Sequence, residues 1–421
     1  MKKIFRKVGV YAVGACFTLT ACVTNGNVGS GAAGTVASGP NVGPQLSSLF
    51  DPEGPAVVDP AKPRLDVIVP VFDPGLSDAG RKYEEEGIWP ELRRAEANRF
   101  ALKLKEALEK TGAFGAVRVT PDRNATGDLY VLGTIVESNG ADVEIQIEVV
   151  DISGRSWFVR SFDHEVASGF HKNTRNAGLD PYDPVFEEAA NRVAHELDDF
   201  SIAELDNLGR LTELRFGSNF AEAAFAEHLV AKRGTVALRS FPSDADPMLE
   251  RTRAVRVRDQ LFVDGLQAHY RAFNAEMEES YLIWQEQSLF EIEARREANE
   301  KAVGEAALGV LAIGLGVLAV IAGSNSDSTA GRTAGVTGGV VAGTLGATLL
   351  SSSFQTSKEA KIHREALAEL GESIDIDLGP RVVAFNEKTI ELTGTAKEQF
   401  AQWRAFLQRV FEEERTPNVQ L

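Results

Sequence analysis

DLYVLGTIVESNGADVEIQIEVVDISG, residues Asp128–Gly154, decides the fold class. In its second half Val143, Ile145, Ile147 and Val149 alternate with Glu144, Gln146 and Glu148, so a strand here buries one face and wets the other. The stretch reads as two strands, Asp128–Ser138 and Ala141–Ile152, joined by Asn139-Gly140 as a two-residue hairpin turn. Ser153-Gly154 is a weaker turn signal leading into a third strand, Ser156–Val166. Toward the N-terminus, Ala116–Thr120 is a short strand, and Leu65–Phe72 (LDVIVPVF) is an apolar run that reads as a buried one. Pro70 removes a ladder donor from that run, which predicts a bulge or an edge. Glu91–Lys110 is an amphipathic helix with Ala97, Phe100, Ala101, Leu104, Ala107 and Leu108 on one face, stopped by Gly112. Pro184–Asp199 repeats the pattern with Val185, Phe186, Ala189, Val193 and Leu197. The sum, over 63–200, is a sheet covered on one face by helices, an α+β sandwich.

The order of a buried strand, the helix AEANRFALKLKEALEKTGAF (95–114), the strand GAVRVTP (115–121) and ATGDLYVLGTIVE (125–137) resembles the periplasmic domain of the curli-secretion (CsgG) lipoprotein family. The TolB amino-terminal domain and the lipoprotein activators of penicillin-binding proteins share a similar fold. The likeness covers roughly 65–200. It implies a lipid-tethered protein-interaction domain without catalytic residues, often oligomeric. Curli pore proteins also carry alternating segments that close into a transmembrane β-barrel, and the apolar segments of this chain lack that period-two alternation.

Residues 1–22 read as a lipoprotein signal peptide. Lys2, Lys3, Arg6 and Lys7 form a basic start, Val8–Ala21 an apolar core, and Leu19-Thr20-Ala21-Cys22 resembles the bacterial lipobox, whose cysteine is acylated and becomes the mature first residue. Val23 stands where an inner-membrane retention aspartate would, so the resemblance implies sorting to the periplasmic face of the outer membrane. Of the two cysteines, Cys16 leaves with the signal and Cys22 takes the lipid, so the mature chain has no disulfide. Residues 23–62, rich in Gly, Ser, Pro, Ala and Asn without periodicity, read as a disordered tether.

From Ala203 the chain reads as mostly helical, with breaks at Gly217-Ser218-Asn219, Gly234 and Pro242. Pro247–Lys301 has one glycine and no proline inside it, so the region 201–302 holds a very long helix. Its apolar row Phe262, Leu266, Tyr270, Phe273, Met277, Tyr281 and Trp284 is spaced in an eleven-residue repeat, which suits straight helix packing. It runs into 303–353, where Ala306–Gly323 and Thr333–Leu350 are uncharged and 18 residues each. A helix of that length reaches ~27 Å, just short of the ~30 Å hydrocarbon layer. Gly331, Gly335, Gly339 and Gly343 recur every fourth residue, beside Gly338, Ala342 and Gly346, and make a bare strip for close helix packing. With Ser324–Ser328 as a polar turn, the reading is a helical hairpin that enters a membrane, packs on copies of itself, or is buried in protein. Its loop carries Asp327 and Arg332 while Lys301, Lys358 and Lys361 flank it, which argues against insertion into the inner membrane. The fold expectation is therefore an α+β sandwich followed by a long helical hairpin, an antiparallel stalk with an apolar Gly-rich tip. In 354–421, Ser357–Leu370 returns as a helix, Ser373–Asp377, Val382–Phe385 and Lys388–Thr393 are short strand candidates, and Thr395–Glu414 is an amphipathic helix.

Chemistry leaves little trace in the sequence. His195-Glu196 lacks the second histidine of a zinc-protease helix, and His164 and His171, with Asp163 and Glu165, read better as a solvated loop than as a metal site. Asp180 and Asp183 read as turn and cap residues. There is no phosphate loop, nucleophile elbow or dinucleotide fingerprint, so no catalytic residue, metal or cofactor is assigned. A formal charge of −17 with no long basic run argues against nucleic acid. The expectation is a non-enzymatic envelope lipoprotein whose partners are the lipid bilayer, copies of itself and an unidentified envelope protein. A secretion pore component, an activator of a periplasmic cell-wall synthase and a hydrolase are the rivals.

Overall fold

A computed structural model describes residues 58–76, 83, 88–307, 358–385 and 387–415. The chain divides into two units, 1–51 and 52–421, and all described residues lie in the second. Within it the α+β class holds: a sheet-and-helix layer accompanied by one long helix.

Five strands make the main sheet: β1 (Val67–Pro70), β2 (Val117–Thr120), β3 (Leu129–Ser138), β4 (Asp142–Asp151) and β5 (Ser156–Glu165), in the order β2-β1-β3-β4-β5. β1 runs parallel to both neighbours, and β3, β4 and β5 are antiparallel. A parallel pair needs a crossover, and α1 (Pro90–Thr111) supplies it between β1 and β2. Pro70 sits inside the sheet. Between Ile68↔Tyr130 and the bridge Asp73↔Thr134 the first chain holds one residue more than its partner, so the missing donor falls at a bulge and not at an edge.

The hairpin turn is one residue later than Asn139-Gly140. The Asn139 N–H donates to the Asp142 carbonyl across Gly140-Ala141, and Gly140 has φ +96° while Ala141 keeps an ordinary negative φ, a II′ pattern with glycine first. Val143, Ile145, Ile147 and Val149 are all buried, beneath α1 and α2 (Asp183–Glu196). Phe100 centres this layer, meeting Phe186 at 5.1 Å, Tyr182 at 6.2 Å and Phe72 at 6.4 Å, edge to face. Gly133 of β3 gives Phe72 its place, since a β-carbon there would stand 2.2 Å from the ring.

α3 (Ile202–Phe225) opens with a capping box between Ser201 and Glu204 and does not break at Gly217. The kink comes at Ala221 (φ −145°, ψ 68°), and the bare Cα of Gly217 leaves room for the Phe225 ring. A hairpin absent from the sequence reading follows, β6 (Leu229–Lys232) and β7 (Thr235–Leu238), turned by Arg233 and Gly234 at positive φ.

α4 (Pro247–Ala307) is a single helix of 61 residues, as its composition demands. It is not a free-standing stalk. Phe262, Leu266, Tyr270, Met277, Tyr281 and Trp284 are buried, with Phe273 half-buried, and the row faces α1, β2, α3 and two later helices. α5 (Lys358–Leu370) lies beside it with Ser280 Oγ 3.0 Å from His363 Nδ1. Its C-terminal end meets the start of α1, where Arg94 Nε donates to the Gly371 carbonyl at 2.7 Å. In the hairpin β8 (Asp377–Phe385) and β9 (Lys388–Thr395), β8 contains the expected Val382–Phe385 and is bulged between Leu378 and Arg381, whereas the expected strand Ser373–Asp377 is irregular up to Ile376 and only its last residue joins β8. α6 (Ala396–Arg415) then packs on α4 and α3, with Trp403 stacked on Phe262 at 5.2 Å and Phe411 tilted against Phe220 at 5.3 Å. Among the described residues no helix is long and apolar enough to cross a membrane.

Gly133→Val is expected to destabilise the chain by about 2–3 kcal/mol, because the Phe72 ring has no vacant direction in which to retreat. Urea unfolding midpoints of the two chains check this.

Candidate functional site

The densest group of buried polar side chains lies where α4 crosses α1 and the β3–β4 hairpin. α1 buries its apolar face, but Glu96 and Arg99 sit between Ala95, Ala97 and Phe100 on the same buried side and are themselves fully enclosed. A buried guanidinium must be paired. Arg99 donates to Asp180 at 2.7 Å, to Asn274 at 2.7 Å and to Glu278, and its Cζ lies 4.6 Å from the centre of the Tyr281 ring. Three of these four groups belong to α4.

Asp180 is held in turn by the Tyr182 N–H at 3.0 Å, Gln285 Nε2 at 3.1 Å and Lys103 at 3.6 Å. Burial opposes its ionisation, yet Arg99 and Lys103 outweigh burial and keep the carboxyl below its ordinary value. The Tyr182 hydroxyl accepts the Gly140 N–H at 2.6 Å, tying the hairpin turn to the same cluster. Gly140 also lets α4 pass close, since a β-carbon there would lie 2.3 Å from Ser288 Cβ.

Three atoms of the cluster lack a hydrogen-bond partner, Arg99 Nε, Gln285 Oε1 and Glu96 Oε2, and of these the Glu96 carboxyl matters most for charge. Ser138 Oγ and the Tyr281 hydroxyl donate to its Oε1 at 2.5 and 2.8 Å, while Oε2 has no hydrogen-bond partner and faces Arg93 at 3.8 Å. Burial pushes this carboxyl up to about 7, against the pull of Arg93, Ser138, Tyr281 and Arg99. Tyr182 and Tyr281 are raised by the same burial and by the neighbouring Glu96 charge.

A second polar seam fixes the other end of the contact. Arg118 of β2 donates to Asp264 of α4 at 2.5 and 3.3 Å and to Asp66 at 3.4 Å. Gln267 accepts the Val119 N–H at 3.0 Å and donates to the Val119 carbonyl at 2.8 Å. β2 is an outer strand of the sheet, so this amide takes the place of a missing neighbour strand. Farther along α4, Arg296 reaches Asp142 at 2.8 Å and also pairs with Glu165.

Taken together these groups pair with one another and with backbone, an arrangement suited to holding α4 in one register. Among the described residues no group of three or more His, Cys, Asp or Glu could hold a metal ion. His164 stands opposite Val143 on β5 and His171 in the turn Phe170–Lys172, and burial lowers both below the ordinary histidine value. Cys22, Gly331, Gly335, Gly339 and Gly343 lie outside the described residues, as does nearly all of the apolar hairpin. Asp180 does turn the chain as the sequence suggested, but its burial against Arg99 went unread. The available signal was Glu96 and Arg99 falling within the apolar stripe of an otherwise well-patterned helix.

No family model, curated protein or solved structure matches the chain.

Glu96 makes stability depend on pH. Its carboxyl ionises at about 7 in the fold and near 4.5 when unfolded, so the contribution is complete below about pH 4.5 and fades as pH rises to about 7. The loss amounts to about 3 kcal/mol. Urea unfolding between pH 4.5 and 8 should show that decline in the wild type and a flatter profile in Glu96→Gln.

Proposed function

We propose that the protein is a non-enzymatic envelope lipoprotein, anchored through acylated Cys22 to the periplasmic face of the outer membrane, that works as an interaction or assembly component. Its Gly331–Gly343 strip serves membrane insertion or self-association. One observation carries the reading: the polar seams described above are spent on α4, the helix that leads into the uncharged segments. After its contacts at Arg296, α4 continues to Ala307, about 16 Å farther along its axis. A helix held so firmly at one end is a rigid lever for whatever its other end joins.

The lipobox, with its basic start and apolar core, supports the anchor. More than one acyl chain is needed for stable residence, and triacylation of such a cysteine meets that condition. The uncharged segments support the second contact, because interior glycines cost ~1 kcal/mol each in a water-exposed helix and need close packing or lipid to offset them.

Radiolabelled palmitate should enter the wild-type chain and not Cys22→Ser. After detergent extraction the wild type should sediment as an oligomer, and the double substitution Gly335→Leu with Gly339→Leu should shift it toward the monomer. An unlabelled wild-type chain recovered in the soluble fraction would defeat the reading.

A further inference from the structure

The two outer strands of the main sheet end differently. β2 is four residues long, and Gln267 of α4 takes both the N–H and the carbonyl that Val119 turns outward. β5, at the other edge, is ten residues long and pairs only with β4. The Val166 N–H donates to the Ala141 carbonyl, and the register Asp142↔Glu165 continues from that bond. Phe158, Arg160, Phe162 and His164 therefore turn their backbone groups toward β4. Val159, Ser161 and Asp163 turn theirs away, are exposed, and have no backbone partner among the described residues. No proline, lysine or bulge, the common guards of a sheet edge, interrupts 158–165.

Charge says what kind of strand would fit there. Glu137 lies opposite Glu144, and Glu144 opposite Asp163, so the three share the sheet face away from α1 and α2. Like charges directly opposite one another destabilise a sheet, and none of the three forms an ion pair among the described residues. Asn139 Nδ2 donates to Glu137 at 2.9 Å, which leaves its charge in place. The row is spread at about 4.8 Å per strand and does not converge as a metal site would. Its next place belongs to whatever pairs with Asp163. The rows beside it run Thr134, Gln146, Ser161 and Leu132, Glu148, Val159. Alternate residues of an added strand would thus meet an acid, a small polar residue and an apolar one. On the opposite face they would meet Phe162 and Arg160.

We propose that the β5 edge binds an extended segment of a partner protein as an antiparallel sixth strand, with a lysine or arginine set opposite Asp163. Main-chain hydrogen bonds to Val159, Ser161 and Asp163 hold the strand, and the cation completes the acidic row. A second copy of β5 is a poorer occupant, because antiparallel pairing would bring its own acidic row onto the same face. This deepens the interaction role proposed above and rests on it. Peptide binding is read independently of acylation and of the oligomer, so the two readings can fail separately.

The test uses the full chain in mild detergent at pH 7 and constant ionic strength, with a fluorescein-labelled peptide, Arg-Thr-Lys-Val-Thr-Glu-Val, whose lysine falls opposite Asp163. Fluorescence anisotropy should show saturable binding, weakened on the order of tenfold or more in Ser161→Pro. That proline removes an outward N–H and leaves the bonds to β4 whole, and an unchanged urea midpoint checks the fold. Asp163→Lys should weaken this peptide and favour one with Glu in place of the lysine, by about threefold to tenfold each way. N-methylation of the second threonine should abolish binding and that of the first valine leave it, because only the threonine N–H faces β5. Binding that depends on Asp163 but ignores Ser161→Pro and N-methylation would reduce the edge to a charged patch and overturn strand addition. No saturable binding, or equal binding by wild type, Ser161→Pro and Asp163→Lys, would overturn it as well. So would loss of the oligomer in Ser161→Pro without peptide binding, which would give the edge to a second copy.

Discussion

A guanidinium enclosed in protein cannot stay unpaired, and Arg99 is enclosed between a sheet and two helices. Its acceptors on the sandwich side end with Asp180; the remaining ones, Asn274 and Glu278, come from a helix 175 and 179 residues away in sequence. The position of α4 follows from that requirement. Once Nη1 and Nη2 of Arg99 are engaged, Tyr281 falls within reach of Glu96, Gln285 within reach of Asp180, and Gln267 opposite Val119. Apolar burial along the Phe262 to Trp284 row supplies the non-directional part of the attraction, and the polar pairs select one register from the several that a regular apolar row would tolerate.

Local patterns were legible because they follow from backbone geometry. Alternation over Val143–Val149 gave a half-buried strand, the spacing of Ala97, Phe100 and Leu104 gave a helix face, and the absence of breakers after Pro247 gave a helix of uncommon length. What failed were inferences about which surfaces meet. The apolar row of α4 suits a second helix of a stalk as well as it suits a sandwich, and periodicity does not name the partner. Gly217 looked like a helix break, but its bare Cα serves the Phe225 ring, and the kink moved to Ala221. The hairpin Leu229–Leu238 was missed because its strands are four residues each, too short for alternation to stand out.

The candidate seam was harder to see for a further reason. Glu96, Arg99 and Asp180 are ordinary surface residue types, and only the fold shows that all three are enclosed together. The cluster also holds a tension. Arg99 and Asp180 neutralise each other, whereas Glu96 has donors for one oxygen only, so its burial favours the protonated acid. The α1–α4 contact is therefore tightest in mild acid. On the proposed reading, the lever that carries the apolar segments is joined to the sandwich through a contact that feels the acidity of its compartment.

The central claim is that α4 and the sandwich are one cooperative structure, joined by these polar pairs. Native-state hydrogen exchange resolved along the chain tests it most directly. Amides of α4 from Leu249 to Leu289 should exchange no faster than those of β4, because both open only in global unfolding. Rapid exchange throughout α4, with β4 still protected, would show that the helix detaches by itself and would contradict the account.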